Sequence, residues 1–103
     1  MLNQVIIVGR LVNNPEVQEN ENGNKSIIIT LAIPRTYKNI NGEYDTDFIT
    51  CKLWEGIAKN AEEFLNKGDL VGVRGRLESK EKEIIVIAEK ITFLSSKKEE
   101  EEE

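Results

Sequence analysis

The chain has 103 residues, with 14 Lys and Arg against 19 Asp and Glu, one cysteine and no histidine. That is the length of one domain; the lone Cys51 excludes a disulfide framework and a multi-cysteine zinc site, and the missing imidazole excludes Ser-His, Cys-His and histidine-ligated metal chemistry. No apolar run approaches the ~20 residues of a membrane-spanning helix, no signal-peptide pattern opens the chain, and the acidic excess is local, because the run Glu99 to Glu103 accounts for it.

Ile and Val outnumber Leu more than two to one, a bias toward strands. Leu2 to Val12 is predicted as the first strand, with Gly9 marking a bend or bulge and Asn13, Asn14 and Pro15 ending it. A polar loop, Glu16 to Asn24, leads to a second strand from Lys25 to Pro34. Arg35 to Thr46 is a polar excursion whose Asn41-Gly42 tip is a strong two-residue hairpin signal. Asp47 to Trp54 alternates as a third strand. The period then changes: Ile57, Ala61, Phe64 and Leu65 form one apolar stripe on a helix from about Gly56 to Asn66, with Lys67 in its last turn and Gly68 as a left-handed cap. Leu70 to Leu77 is the fourth strand, with Gly72 and Gly75 as bend points, and Glu83 to Leu94 is the fifth. Residues 95–103 are charged, have nothing to bury and read as a disordered acidic tail. Three strands, a helix and two strands fit an all-β class: a five-stranded OB-fold barrel over residues 1–94 with one helix between strands three and four.

The third strand carries the chemistry. Period two puts Ile49, Cys51 and Leu53 on a core face, and Phe48, Thr50, Lys52 and Trp54 on the other. Aromatics with a cation between them suit bases stacked on rings and a phosphate held nearby; packing of Phe48 and Trp54 under a loop or partner is the equal alternative. Arg74 and Arg76 share an outer face of the fourth strand and suit a phosphate backbone, or simply solvent. The excursion adds Arg35, Tyr37, Lys38 and Tyr44, a candidate clamp. A two-residue turn at Asn41-Gly42 would pair Arg35 with Phe48 and put Ile29, Leu31 and Ile33 on the face of Lys52; a bulge near Pro34 removes that conflict. The first strand is apolar on both faces, so its outer face needs cover from an identical subunit or from the chain's own loops. Cys51 reads as core, Asp45 and Asp47 read as solvated acids, and no cofactor or metal site is expected.

The segments LNQVIIVGRL with NNPEV, LAIPRTYKN, DFITCKLWEGIAKNAEEFLNKG and LVGVRGRL resemble, in order from about Leu2 to Leu77, the bacterial single-stranded DNA-binding proteins. The resemblance implies an OB-fold, a homotetramer in most members (a dimer stays open), and sequence-tolerant, non-catalytic binding of single-stranded DNA in replication, recombination and repair, in the cytoplasm with the nucleoid. It places Tyr37, Phe48 and Trp54 at the family's stacking aromatics, Lys67 at a basic residue before the helix-ending glycine, and Arg10 in a family-like GRL. Two departures stand out. Glu78 to Lys82 is short where the family has a long hairpin, which implies a smaller footprint. The chain also closes on glutamates where the family has a linker and an acidic Pro-Phe tip, which puts recruitment of repair and replication enzymes by that route in question. The competing reading is an OB-fold protein-interaction subunit, a primosome-type accessory with weak or no DNA binding. An enzyme is not expected.

Overall fold

In the computed structural model, which describes residues 1–96, alternating segments become β1 (Val5–Leu11), β2 (Glu16–Glu19), β3 (Lys25–Lys38), β4 (Tyr44–Trp54), β5 (Leu70–Lys80) and β6 (Glu83–Ser95), with α1 (Ile57–Phe64) between β4 and β5. The sheet order is β1-β5-β6-β4-β3-β2, and β1 also pairs with β3, so five strands close on themselves. This is the expected OB-fold barrel with its helix in the expected place. Closure needs β1 to leave β5 and join β3: Arg10 pairs with Leu70 on one side and with Ala32 on the other. Gly9 permits the crossing, because a Cβ there would sit 2.8 Å from both Ala32 O and Ile33 Cγ1. The core holds Leu11, Ile27, Ile29, Leu31, Cys51, Leu53, Val71, Val73 and Val86, joined by Ala58, Ala61 and Leu65 from the helix region.

Several expectations are corrected. The loop after the first strand contains β2, which pairs with β3 from Glu16↔Ile28 to Glu19↔Lys25. All four of its residues are exposed, so it has no buried face to alternate against. The Asn41-Gly42 tip is a three-residue turn: Asn39 N donates to Glu43 O, Gly42 N to Asn39 O, and Gly42 adopts φ 80°. Asn39 Oδ1 accepts from the N–H groups of both Asn41 and Glu43. The same N-x-N-G turn joins β2 to β3, where Asn20 Oδ1 accepts from Asn22 N and Asn24 N and Gly23 has φ 82°.

The helix stops at Phe64, two residues early. Leu65 turns to extended backbone and drops into the core, leaving Phe64 outside it. Lys67 and Gly68 therefore form no helix end; they are the centre of a turn in which Asp69 N donates to Asn66 O and Gly68 has φ 94°. β5 and β6 run to a two-residue turn at Glu81 and Lys82, and β6 continues to Ser95, one residue past the expected boundary. The acidic run Glu99 to Glu103 lies outside the described residues. No helix among the described residues is long and apolar enough to cross a membrane.

Candidate nucleic-acid interface

β3 and β4 set the outer face. Their register runs from Ser26↔Trp54 through Ile28↔Lys52 and Thr30↔Thr50 to Ala32↔Phe48, so each of these pairs shares a side of the sheet. The intervening pairs, Ile27↔Leu53, Ile29↔Cys51 and Leu31↔Ile49, point into the barrel. Phe48 therefore meets Ala32 and not Arg35. An irregularity between Pro34 and Lys38 absorbs the mismatch with the turn, since Lys38 pairs with Tyr44. Phe48 is 64% exposed, Trp54 36% and Tyr37 63%, so the rings of the third predicted strand do project outward.

Cations gather around Lys52, whose Nζ lies over the Trp54 ring, 4.4 Å from the centroid. On the other edge of β4, Lys52 registers with Ile87 of β6, and Ile87 with Arg76 of β5. Ile85 and Ile87 face outward with these residues yet are buried, forming an apolar floor beneath long charged side chains. Burial first, and then the nearby ammonium of Lys80, lower the pKa of Lys52, with Glu78 opposing. Arg76 Nη1 donates to Glu78 Oε2 at 2.8 Å. The sector thus holds Lys52, Arg76 and Lys80 with Glu78 and, across from Lys80, Glu83. Lys80 lies beyond the predicted fourth strand, which ends at Leu77; with β5 running to Lys80, Arg76, Glu78 and Lys80 are successive residues of one face.

A second group lies at the other end of the row. Arg10 registers with Ala32, which registers with Phe48, so Arg10 and Phe48 flank one small residue on the outer face. Arg10 Nη1 donates to Gly68 O at 3.1 Å, which ties it to the turn carrying the exposed Lys67. A recess of about 290 Å³, lined by Val8, Arg10, Ala32, Pro34, Thr46 and Leu70, opens on this part of the face.

The β3–β4 ribbon beyond Pro34 and Thr46 forms an arm. Tyr44 lies beneath Lys38, whose Nζ is 5.8 Å from the ring centroid. Arg35 makes a bidentate contact with Asp47, Nη2 to Oδ1 at 2.9 Å and Nε to Oδ2 at 3.2 Å, and lies 3.9 Å from Asp45. The hydrogen bonds and charge of Asp47, with a smaller contribution from Tyr37, raise the pKa of Arg35 further, and Arg35 in turn holds the Asp47 carboxyl below its usual range. Asp45 and Asp47, read as free in solvent, are partners of a cation. Arg74 has Ile6 and Lys90 as its cross-strand neighbours. Ile6 and Val8 leave the outer side of β1 apolar and exposed. Among the described residues no cluster of three His, Cys, Asp or Glu could hold a metal.

Comparison with known proteins agrees with this geometry. Residues 2–91 match the profile of the single-strand binding protein family. Single-stranded DNA-binding protein A of Bacillus subtilis (strain 168) is 46% identical over 80 residues, covering 78% of this chain and 46% of that protein. Single-stranded DNA-binding protein 3 of Listeria innocua serovar 6a is 39% identical over 106 residues, covering 94% of this chain and 66% of its own. A crystal structure of a deletion mutant of the single-stranded DNA binding protein from Thermus aquaticus superposes with TM-score 0.74 at 28% identity, over 91% of this chain and 51% of that one. The chain therefore spans between about half and two thirds of the length of these relatives.

Proposed function

The chain belongs to the single-strand binding protein family, and we propose on that footing that it binds single-stranded DNA without sequence preference and without catalysis, as a protective coat in replication, recombination and repair. The observation that supports this most is the outward row Phe48–Thr50–Lys52–Trp54 with Arg76 and Lys80 beside it, because rings that offer a π-face to any base, next to cations that meet phosphates, recognise a flexible strand and not a sequence. Stacking is worth ~1–3 kcal/mol per base. Phe48 and Trp54 are assigned to stacking, Tyr37 to a third base on the arm, and Lys52, Arg76, Lys38, Lys67 and Arg10 to phosphates. Arg74 is assigned to the backbone on its way around the barrel. Arg35 contributes least, since two carboxylates already face it. The exposed apolar side of β1, with Ile6 and Val8, is assigned to a second copy of the chain, in a dimer or a homotetramer.

Titrating Trp54 fluorescence with oligo-dT at two salt concentrations tests the reading. The expected result is a ring signal that changes on binding, and an affinity whose log–log salt slope is near −0.7 per phosphate contacted. A fluorescence unmoved by oligo-dT at low salt contradicts it. Sedimentation of the free protein gives the oligomeric state.

A further inference from the structure

The two rings of the barrel wall differ in one respect. Phe48 is open, whereas Trp54 is about one third exposed and carries the Lys52 ammonium over its ring at 4.4 Å. Trp54 also ends its strand, paired with Ser26, and Lys52 lies two residues before it on the same face. We propose that Lys52 is a displaceable cover on Trp54, which an incoming base replaces, and that the released ammonium then seats the adjoining phosphate together with Lys80. The inference rests on the single-stranded DNA reading and adds to it a residue that changes partner during binding.

The chemistry favours such an exchange. An ammonium over an indole is a modest attraction at a partly exposed site, whereas a stacked base covers far more of the ring. Lys52 and Lys80 are also like charges held close above the apolar floor of Ile85 and Ile87, and the fall in Lys52's pKa has that proximity as its second cause after burial. Glu78, the carboxylate that opposes this at Lys52, is already bonded to Arg76, and Glu83 stands across from Lys80. An anion between the two ammoniums relieves their repulsion. Base and phosphate belong to adjoining parts of one strand, so a single nucleotide displaces Lys52 from the ring and supplies its new partner.

The test uses Lys52→Thr, which suits a strand and is too short to reach the ring, and Lys80→Thr, which leaves the cover in place. Trp54 is the sole tryptophan, so acrylamide quenching of the free protein reads its exposure directly. Quenching rises in Lys52→Thr and stays at the parent value in Lys80→Thr; an unchanged Lys52→Thr overturns the cover. With oligo-dT, the double variant loses about 0.7 from the magnitude of the salt slope, the one phosphate that the two lysines share, and each single variant loses part of that. At high salt, where phosphate contacts are screened, Lys52→Thr binds roughly two- to fivefold tighter than the parent, the reverse of its order at low salt. Salt lines that run parallel to the parent's overturn the phosphate role. Failure of the parent itself to bind oligo-dT removes the DNA reading, and the quenching comparison still reports on the cover.

Discussion

On the barrel wall, Phe48 and Trp54 stand on a strand bonded along its length to β3 and, at Cys51 and Lys52, to β6. On the arm, Tyr37, Lys38 and Tyr44 stand on a two-stranded ribbon beyond a break in register between Pro34 and Lys38. Both regions combine aromatics with cations, but their charges are organised differently. The wall sets Lys52, Arg76 and Lys80 against Glu78 and Glu83, while the arm sets Arg35 against Asp45 and Asp47. A core behind the wall fixes its rings, whereas the arm's rings stand on a two-stranded ribbon whose residues are exposed on both faces. The same residue types therefore give a prepositioned, cation-rich surface in one place and an internally neutralised one in the other.

Backbone substitutions break this contrast most severely. Gly75 lies beside a register shift at Arg74, and a Cβ there would collide with the carbonyl of Ile87; Gly75→Ala is expected to cost about 3 kcal/mol or more in urea unfolding. Gly42 on the arm needs only its positive φ and has open space around it, so Gly42→Ala costs about 1 kcal/mol. Equal costs would mean that the arm is as tightly constrained as the wall. The charges sharpen the contrast next. Arg76→Gln is expected to reduce the magnitude of the salt slope for oligo-dT by about 0.7, whereas Arg35→Gln leaves it unchanged, because Arg35 is engaged by two carboxylates.

Acid gives a smaller effect, confined to the arm. Asp47 has its pKa lowered by Arg35, so its contribution is complete above the ordinary carboxylate range near pH 4 and is lost as pH falls through its depressed folded value. Amide exchange on the arm should accelerate over that window before the wall responds, and Asp47→Asn should abolish the difference. The smallest effect is at Cys51, directly behind the wall. Burial pushes its thiol up to about 12, so it stays protonated in the folded chain. Iodoacetamide at pH 8 should leave it unmodified until urea unfolds the protein. Stability falls only above about pH 8.5, where the unfolded chain alone gives up the proton.

What the sequence disclosed follows the same division. The wall was legible because a half-buried strand must alternate: Ile49, Cys51 and Leu53 identify their own face and, by exclusion, that of Phe48, Lys52 and Trp54. Where no face is buried the signal vanishes. β2 is exposed along its length, and the outer ends of β3, β4 and β5 extend past the core with no alternation, which is why Lys80 was left off the site. Register across Pro34 was half legible: the conflict of faces called for a bulge near Pro34, where the irregularity lies, but the point at which pairing resumes depends on how many residues the arm absorbs. The three-residue turns were misread as a two-residue turn at Asn41-Gly42 and a plain loop at Asn20, although N-x-N-G occurs at both places, each with its Asn side chain accepting from two backbone N–H groups. The lysine over Trp54 needed coordinates, because nothing in the spacing of Lys52 and Trp54 says whether the cation points along the strand or away from it.

The most direct test of the wall as the binding surface compares Phe48→Ala with Tyr37→Ala, both read by Trp54 fluorescence against oligo-dT at one salt concentration. Loss of an open, prepositioned ring should weaken binding by ~1–3 kcal/mol, about 5- to 150-fold. Loss of the arm's ring should cost less than fivefold. Binding by Phe48→Ala as tight as the parent's, or a larger loss from Tyr37→Ala, would contradict the account.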